Sequence, residues 1–178
     1  GLGGGSSNGT FMLRLLNEKF DLGATNDQLK TYALQLGSDC PFFIINKPAL
    51  ATGRGEKMTP IDLDLAGHHI VLVNPGIHVS TGWAFSQIAP APHQIPLSDI
   101  VHHPMSEWEA RGMINDLEAP VLEKYPEIRH IKESLYQKGA SFAAMSGSGS
   151  TVFGIFSQLP DHSPNEYPSN YLVKILSF

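Results

Sequence analysis

Gly1-Leu2-Gly3-Gly4-Gly5-Ser6-Ser7-Asn8 leads directly into Phe11, Met12, Leu15, Leu16 and Phe20. Those apolar residues recur at helical spacing, which predicts an amphipathic helix over Ser7 to Phe20 with Ser6, Ser7 or Asn8 as its N-cap. Consecutive glycines let a backbone approach a ligand closely, and a helix N-terminus adds unpaired N–H groups and partial positive charge. Together they suit a di- or triphosphate. No Gly-Lys-Ser/Thr closes the run, so it is not a Walker A loop. Ser6 stands where a dinucleotide fingerprint needs its third glycine. The competing reading is a flexible Gly/Ser linker.

Working outward, Thr25 and Gln28 form a capping-box pattern ahead of Leu29, Tyr32, Ala33 and Leu36, so a second helix is expected, ending at Gly37. Phe42–Ile45 reads as a strand after Pro41 and Ala49–Thr52 as its hairpin partner. Ile70–Val73 reads as a buried strand stopped by Asn74-Pro75-Gly76. Thr81 is expected to cap a short helix. Pro90, Pro92 and Pro96 make that stretch a loop. Helix is expected from Ser106 with breaks near Pro120 and Pro126, closing at Gly139. Phe142–Met145 and Thr151–Phe156 read as strands around a Gly-rich turn. Ser157–Asn170 reads as loop, and Tyr171–Leu176 as a last strand. The sum is an α+β protein with a domain boundary near Ala66.

The 178 residues carry a formal net charge of −5, with no Lys/Arg cluster, which disfavours nucleic-acid binding. No apolar run approaches membrane-span length, so no membrane partner is expected. The single cysteine, Cys40, allows no internal disulfide and fits a reducing, cytoplasmic setting. His68-His69 and His102-His103 lack neighbours that would complete a ligand set, so no metal site is expected.

Two further segments can carry chemistry. In Gly37-Ser38-Asp39-Cys40-Pro41-Phe42-Phe43 a lone carboxylate stands beside an apolar run, as either a helix cap or a functional base. Ala144-Met145-Ser146-Gly147-Ser148-Gly149-Ser150-Thr151 is either a hairpin turn or a second Gly-rich loop.

The order of these three segments resembles the motifs of the GHMP kinase superfamily. Within it, the chain is similar to the 4-diphosphocytidyl-2-C-methyl-D-erythritol kinases through Gly37–Phe43, Gly53-Arg54-Gly55-Glu56, Asn74-Pro75-Gly76, Val79-Ser80-Thr81, Asn115-Asp116-Leu117-Glu118 and Tyr125-Pro126-Glu127-Ile128. The resemblance implies that residues 1–66 are the later part of an ATP phosphate-binding domain and 67–178 a ferredoxin-like C-terminal domain. It implies phosphoryl transfer from ATP, with Mg²⁺, to the 2-hydroxyl of a cytidine diphosphate methylerythritol, in making isoprenoid precursors. Asp39 is then the base. Gly1, Gly3, Gly4, Gly5, Ser6, Ser7 and Asn8 bind ATP, with Ser6 and Ser7 either bonding phosphate or helping place Mg²⁺. Thr81 and Phe85 face the substrate, Phe85 stacking on cytosine, against the alternatives of a cap and a core residue. Ser146, Gly147, Ser148 and Gly149 form the supporting loop. The family's N-terminal third, with its catalytic lysine and adenine pocket, has no counterpart in this sequence. The chain is therefore expected to begin inside a domain, to be inactive alone and to self-associate through the bared apolar face. Other GHMP kinases, acting on homoserine, mevalonate or a sugar, and a non-catalytic nucleotide-binding module are the rival expectations.

Overall fold

The structure is a computed structural model that describes residues 1–89, 95–161 and 166–178. The chain forms two compact units, Gly3–Leu63 and Asp64–Phe178, the second joined by Gly1–Leu2. The prolines 90 and 92 of the expected loop, and 162–165 of the later one, lie outside the described residues.

The first unit comprises helices α1 (Gly4–Lys19), α2 (Asn26–Leu36) and α3 (Cys40–Ile45), then strands β1 (Ala49–Thr52) and β2 (Lys57–Pro60), paired antiparallel. The Thr25 capping box is present: its hydroxyl accepts from the Gln28 N–H and the Gln28 side chain returns to the Thr25 N–H. Helix α1 differs from expectation by starting at Gly4, with Gly3 as an N-cap that offers no side-chain bond. Gly4 and Gly5 are thus in the first turn of the helix, and of the run's glycines only Gly1 and Gly3 precede it.

Phe42–Ile45 is helical, not a strand. A short apolar run carries no decisive period of its own, and Pro41 sits in the first turn, where its missing N–H costs nothing. Tertiary packing then decides: Cys40 and Ile44, one helical turn apart, bury against Leu29 and Ala33 of α2. The hairpin partner of β1 is therefore β2, with Gly53–Glu56 as the turn.

The second unit is a four-stranded antiparallel sheet of β3 (His69–Asn74), β4 (Phe142–Met145), β5 (Val152–Phe156) and β6 (Leu172–Ser177), in the order β4-β5-β3-β6. This is the strand order of the ferredoxin-like split βαβ. Between β3 and β4 run α4 (Thr81–Ser86), α5 (Leu97–Ile100), a 3₁₀ turn at Met105–Glu107, α6 (Glu118–Lys124) and α7 (Pro126–Gln137). Helix α7 buries Ile128, Ile131 and Leu135 in a core with Val71, Val73, Met145, Val152 and Phe156. Each fully buried aliphatic side chain of this kind contributes about 1.5–3 kcal/mol. No α-helix occurs among the described residues between β5 and β6, as the prolines there predict.

Two expectations about helix ends are corrected. Ser80, not Thr81, caps α4 by accepting from the Trp83 N–H. The stretch after Ser106 stays in turns until Glu118, and Pro120 breaks nothing because it lies in the first turn of α6. Among the described residues no helix is long and apolar enough to cross a membrane.

Candidate functional site

In the first unit the first turn of α1 is open. A Cβ added at Gly4 or Gly5 would meet nothing within 4 Å. No side chain caps this end, and the N–H groups of Gly4, Gly5 and Ser6 meet no acceptor among the described residues. The helix holds its place through Thr10, which is fully buried and donates its hydroxyl to the Cys40 carbonyl at 2.8 Å. That bond fixes α1 against α3. Thr10 escapes a sequence reading because it stands among apolar helix residues with nothing to mark it.

Asp39 occupies the N-cap position of α3 but does not cap it. Its carboxylate is exposed and accepts no hydrogen bond from the described residues. The nearest feature is the β1–β2 turn, where a Cβ at Gly55 would stand 3.6 Å from Asp39 Oδ1. That turn is tied by Glu56, whose Oε2 accepts from the Arg54 N–H at 2.6 Å. Backbone hydrogen bonds from Glu56 itself and from Arg54 hold the Glu56 carboxyl below its ordinary value. Arg54 and Glu56 therefore form a structural turn. Cys40, next to Asp39, is a buried free thiol and packs as a small hydrophobe.

In the second unit a cleft of about 430 Å³ is lined by Gly1, Asn74, His78, Thr81, Ser148 and Ser150, among others. It brings together Gly1, Thr81, Ser148 and Gly149 of the expected site. Thr81 Oγ1 and Ser148 Oγ are 2.9 Å apart and share a hydrogen bond. Gly1 lies so close to the second Gly-rich loop that a Cβ on it would stand 2.6 Å from the Ser146 carbonyl oxygen, and its own carbonyl accepts from Ser146 Oγ at 2.7 Å. Phe85 does not line this cleft; it projects from α4 and is 59% exposed. Ser146 and Gly147 instead line a separate, mostly apolar cleft of about 380 Å³ with Met113, Ile114, Phe142 and Phe153.

The Ser146–Ser150 loop is built rather than loose. Gly147 and Gly149 have φ of 57° and 89°, and a Cβ at Gly149 would stand 2.8 Å from Met145 Sδ. Asn74, at the end of β3, donates to Thr151 Oγ1 at 2.7 Å and accepts from the Gly76 N–H at 2.7 Å. Asn115 donates to the carbonyls of Met145 and Gly147 at 2.9 and 2.7 Å. Asn115 Oδ1 also accepts from the Leu117 N–H, and Leu117 is the N-cap of α6.

Behind the loop lies a charged network. Glu118, 7% exposed, accepts from the Met145 N–H at 2.5 Å and from Lys132 Nζ at 2.6 Å. Lys132 also donates to Glu109, which accepts in turn from the Tyr136 hydroxyl. Burial disfavours the Lys132 ammonium, but its bonds to Glu109 and Glu118 prevail and raise its pKa above the ordinary value. Burial likewise opposes the Glu109 carboxylate, and the Lys132 and Tyr136 bonds outweigh it and lower its pKa. Burial and the Glu109 bond push Tyr136 far up. Glu118 belongs to a segment that carries the family resemblance, but Glu109, Lys132 and Tyr136 do not declare themselves in sequence, because each is an ordinary polar residue of a helix or its approach.

Among the described residues no group of three or more His, Cys, Asp or Glu side chains is arranged to hold a metal. Trp108 is a packing residue, 3% exposed, with its indole N–H donating to the His103 carbonyl at 2.9 Å.

Residues 101–165 match the family described as GHMP kinases C terminal. The chain is 54% identical over 157 residues to a protein of Bacteroides fragilis named 4-diphosphocytidyl-2-C-methyl-D-erythritol kinase, covering 88% of this chain and 57% of that one. A protein of the same name from Cytophaga hutchinsonii is 45% identical over 162 residues, covering 90% of this chain and 60% of that one. The chain thus spans rather more than half the length of these relatives. Among solved structures, a 4-(cytidine 5'-diphospho)-2C-methyl-D-erythritol kinase superposes with a TM-score of 0.74 at 27% identity, covering 99% of this chain and 66% of that one. A homoserine kinase from Cytophaga hutchinsonii, at 14% identity and a TM-score of 0.56 over 80% of this chain and 52% of that one, shares the fold. On the family match, the relatives and the strand order together, this chain belongs to the GHMP kinase superfamily.

Proposed function

We propose that the protein transfers the γ-phosphoryl group of ATP to the 2-hydroxyl of 4-diphosphocytidyl-2-C-methyl-D-erythritol, a cytoplasmic step in making isoprenoid precursors. The observation that carries this reading is the 54% identity over 157 residues to a kinase named for that alcohol. The geometry is in keeping with it. Asp39 is an exposed carboxylate that accepts no hydrogen bond from the described residues, which leaves its oxygens open to a substrate hydroxyl. In the step it takes the proton of the attacking hydroxyl while the new O–P bond forms and the bond from the γ-phosphorus to the leaving ADP breaks.

The open first turn of α1 fits a triphosphate. Of the segment Gly3–Asn8, Gly4, Gly5 and Ser6 present N–H groups that meet no acceptor among the described residues, Ser6 and Ser7 add hydroxyls and Asn8 a side-chain amide, and no side chain fills the space above Gly4 and Gly5. Mg²⁺, if bound, would neutralise charge on the phosphates, and the Ser6 and Ser7 hydroxyls are the groups of this segment that would bond phosphate or help hold the ion. Thr81 and the exposed ring of Phe85 are the residues of the second unit assigned to the alcohol, the ring by stacking on cytosine. Phe11, Met12 and Leu15, each about half exposed on α1, are the residues through which copies of this chain self-associate. A monodisperse monomer in sedimentation at high concentration argues against that.

The test measures ADP release from ATP, Mg²⁺ and the cytidine diphosphate alcohol by the protein at its full natural length, beside Asp39→Asn. Wild-type turnover with a fall of roughly 10²- to 10⁴-fold in the variant, ATP binding retained, is expected. Turnover of homoserine, mevalonate or a sugar instead removes the substrate assignment. No turnover with any acceptor leaves a nucleotide-binding module.

A further inference from the structure

The proposed phosphoryl transfer does not use the Asn115–Glu118 segment, yet that segment bonds the Ser146–Ser150 loop at Gly147 and the residue leading into it, Met145, through both its N–H and its carbonyl. We propose that Asn115 and Glu118 are positioning residues that set the shape of this loop, and with it the cleft containing Thr81 and Ser148; for its consequence on turnover this rests on the reading above.

The peptide groups of the loop can be accounted for one by one. The carbonyls of Met145 and Gly147 both point to Asn115 Nδ2. The Met145 N–H goes to Glu118, the Ser146 N–H to the Thr151 carbonyl, and the Gly149 N–H to the Ser146 carbonyl. The N–H groups of Gly147, Ser148 and Ser150 meet no acceptor among the described residues, and Ser148 and Ser150 line the cleft. Ser150 is only 4% exposed. The arrangement draws the Met145 and Gly147 carbonyls back toward the turn before α6 and leaves donors for whatever occupies the cleft.

A hairpin turn does not need this. The β4–β5 ladder already closes at the Met145–Val152 pair, and the Ser146–Thr151 backbone bond extends it. Burying the Glu118 carboxylate is costly, and apolar replacements of buried ion pairs are often neutral or stabilising. Lys132 compensates the Glu118 charge from behind, and Glu109 and Tyr136 in turn fix Lys132. Such a network, directed at one loop, serves geometry more than stability.

The test compares wild type, Asn115→Asp and Asn115→Ala, each at the protein's full natural length, by amide NMR, by melting, and by kcat and KM for ATP. Asn115→Asp sets a carboxylate oxygen against two carbonyls; Asn115→Ala removes both donors without adding charge. The expected result is a folded protein, amide shifts changed chiefly within Met145–Thr151, and a fall in kcat/KM of roughly 10- to 100-fold, larger for Asp than for Ala. Unmoved loop amides with unchanged turnover overturn the proposal. Loss of the fold in both variants also overturns it, in favour of a purely structural role. If wild type turns over no alcohol, the functional reading fails separately: the amide shifts still decide whether Asn115 shapes the loop.

Discussion

The two Gly-rich segments look alike in sequence and are opposite in construction. At Gly4 and Gly5 nothing stands within 4 Å of an added Cβ, the backbone is ordinary helix, and no side chain caps the end. Neither packing nor backbone conformation demands glycine there. At Gly147 and Gly149 the backbone requires it, at φ of 57° and 89°. Side chains from β3, α6 and the turn before α6 hold that loop or its flanking residues in place. Glycine thus serves external space in one segment and internal conformation in the other. Only the first costs helix stability without a structural return, which makes it the better candidate for contact with a ligand.

That contrast can be broken in several ways. The largest expected effect is at the support of the second loop. Lys132→Met leaves Glu118 buried and uncompensated, and should lower unfolding free energy in urea by about 3 kcal/mol; a loss within error would mean the network is solvated and does not hold the loop. Next, Gly149→Ala forces a left-handed φ on a side chain crowded by Met145, and should cost about 1–3 kcal/mol in the same measurement. Smaller and of opposite sign, Gly5→Ala should stabilise by about 0.5–1 kcal/mol, because it removes a helical glycine at a site with room for Cβ. The same variant should raise the KM for ATP; a more stable protein with unchanged KM would sink the phosphate role of α1.

The smallest effect is in pH. Glu109 has its folded pKa below the ordinary 4.5, so its contribution is complete above that value and is lost as pH falls through the folded pKa. Lys132 has its folded pKa above the ordinary 10.5, so its contribution is complete below that value and is lost as pH rises through the folded pKa. Urea midpoints should be flat between these limits with respect to this network and decline outside them. The alkaline decline should be weaker in Lys132→Met.

The sequence made some of this architecture plain and concealed the rest, for physical reasons. Thr25 and Gln28 announce α2 because a capping box is a local bond pattern, complete within four residues. The strands β3, β4 and β5 were legible as short apolar runs bounded by Asn-Pro-Gly and Gly/Ser turns. Phe42–Ile45 misled because its fate depends on burial against Leu29 and Ala33, which no local period encodes. The start of α1 was placed too late because glycine's poor intrinsic propensity was overridden by the helix that follows. Asp39 stood out as a lone carboxylate, while Asn115 and Glu118 are defined by carbonyl and N–H groups some thirty residues away.

The order β4-β5-β3-β6 has a consequence for the nascent chain. Strand β3 is made first among the strands of its sheet, yet it lies inside, and its six-residue pairing with β6 waits for Leu172–Ser177. While the ribosome is still translating, β3 and its neighbours present a bare edge of Ile70 and Leu72 flanked by unpaired peptide groups. Chaperone capture or self-templated aggregation has its opening in that interval, and loss of the last few residues would make the interval permanent.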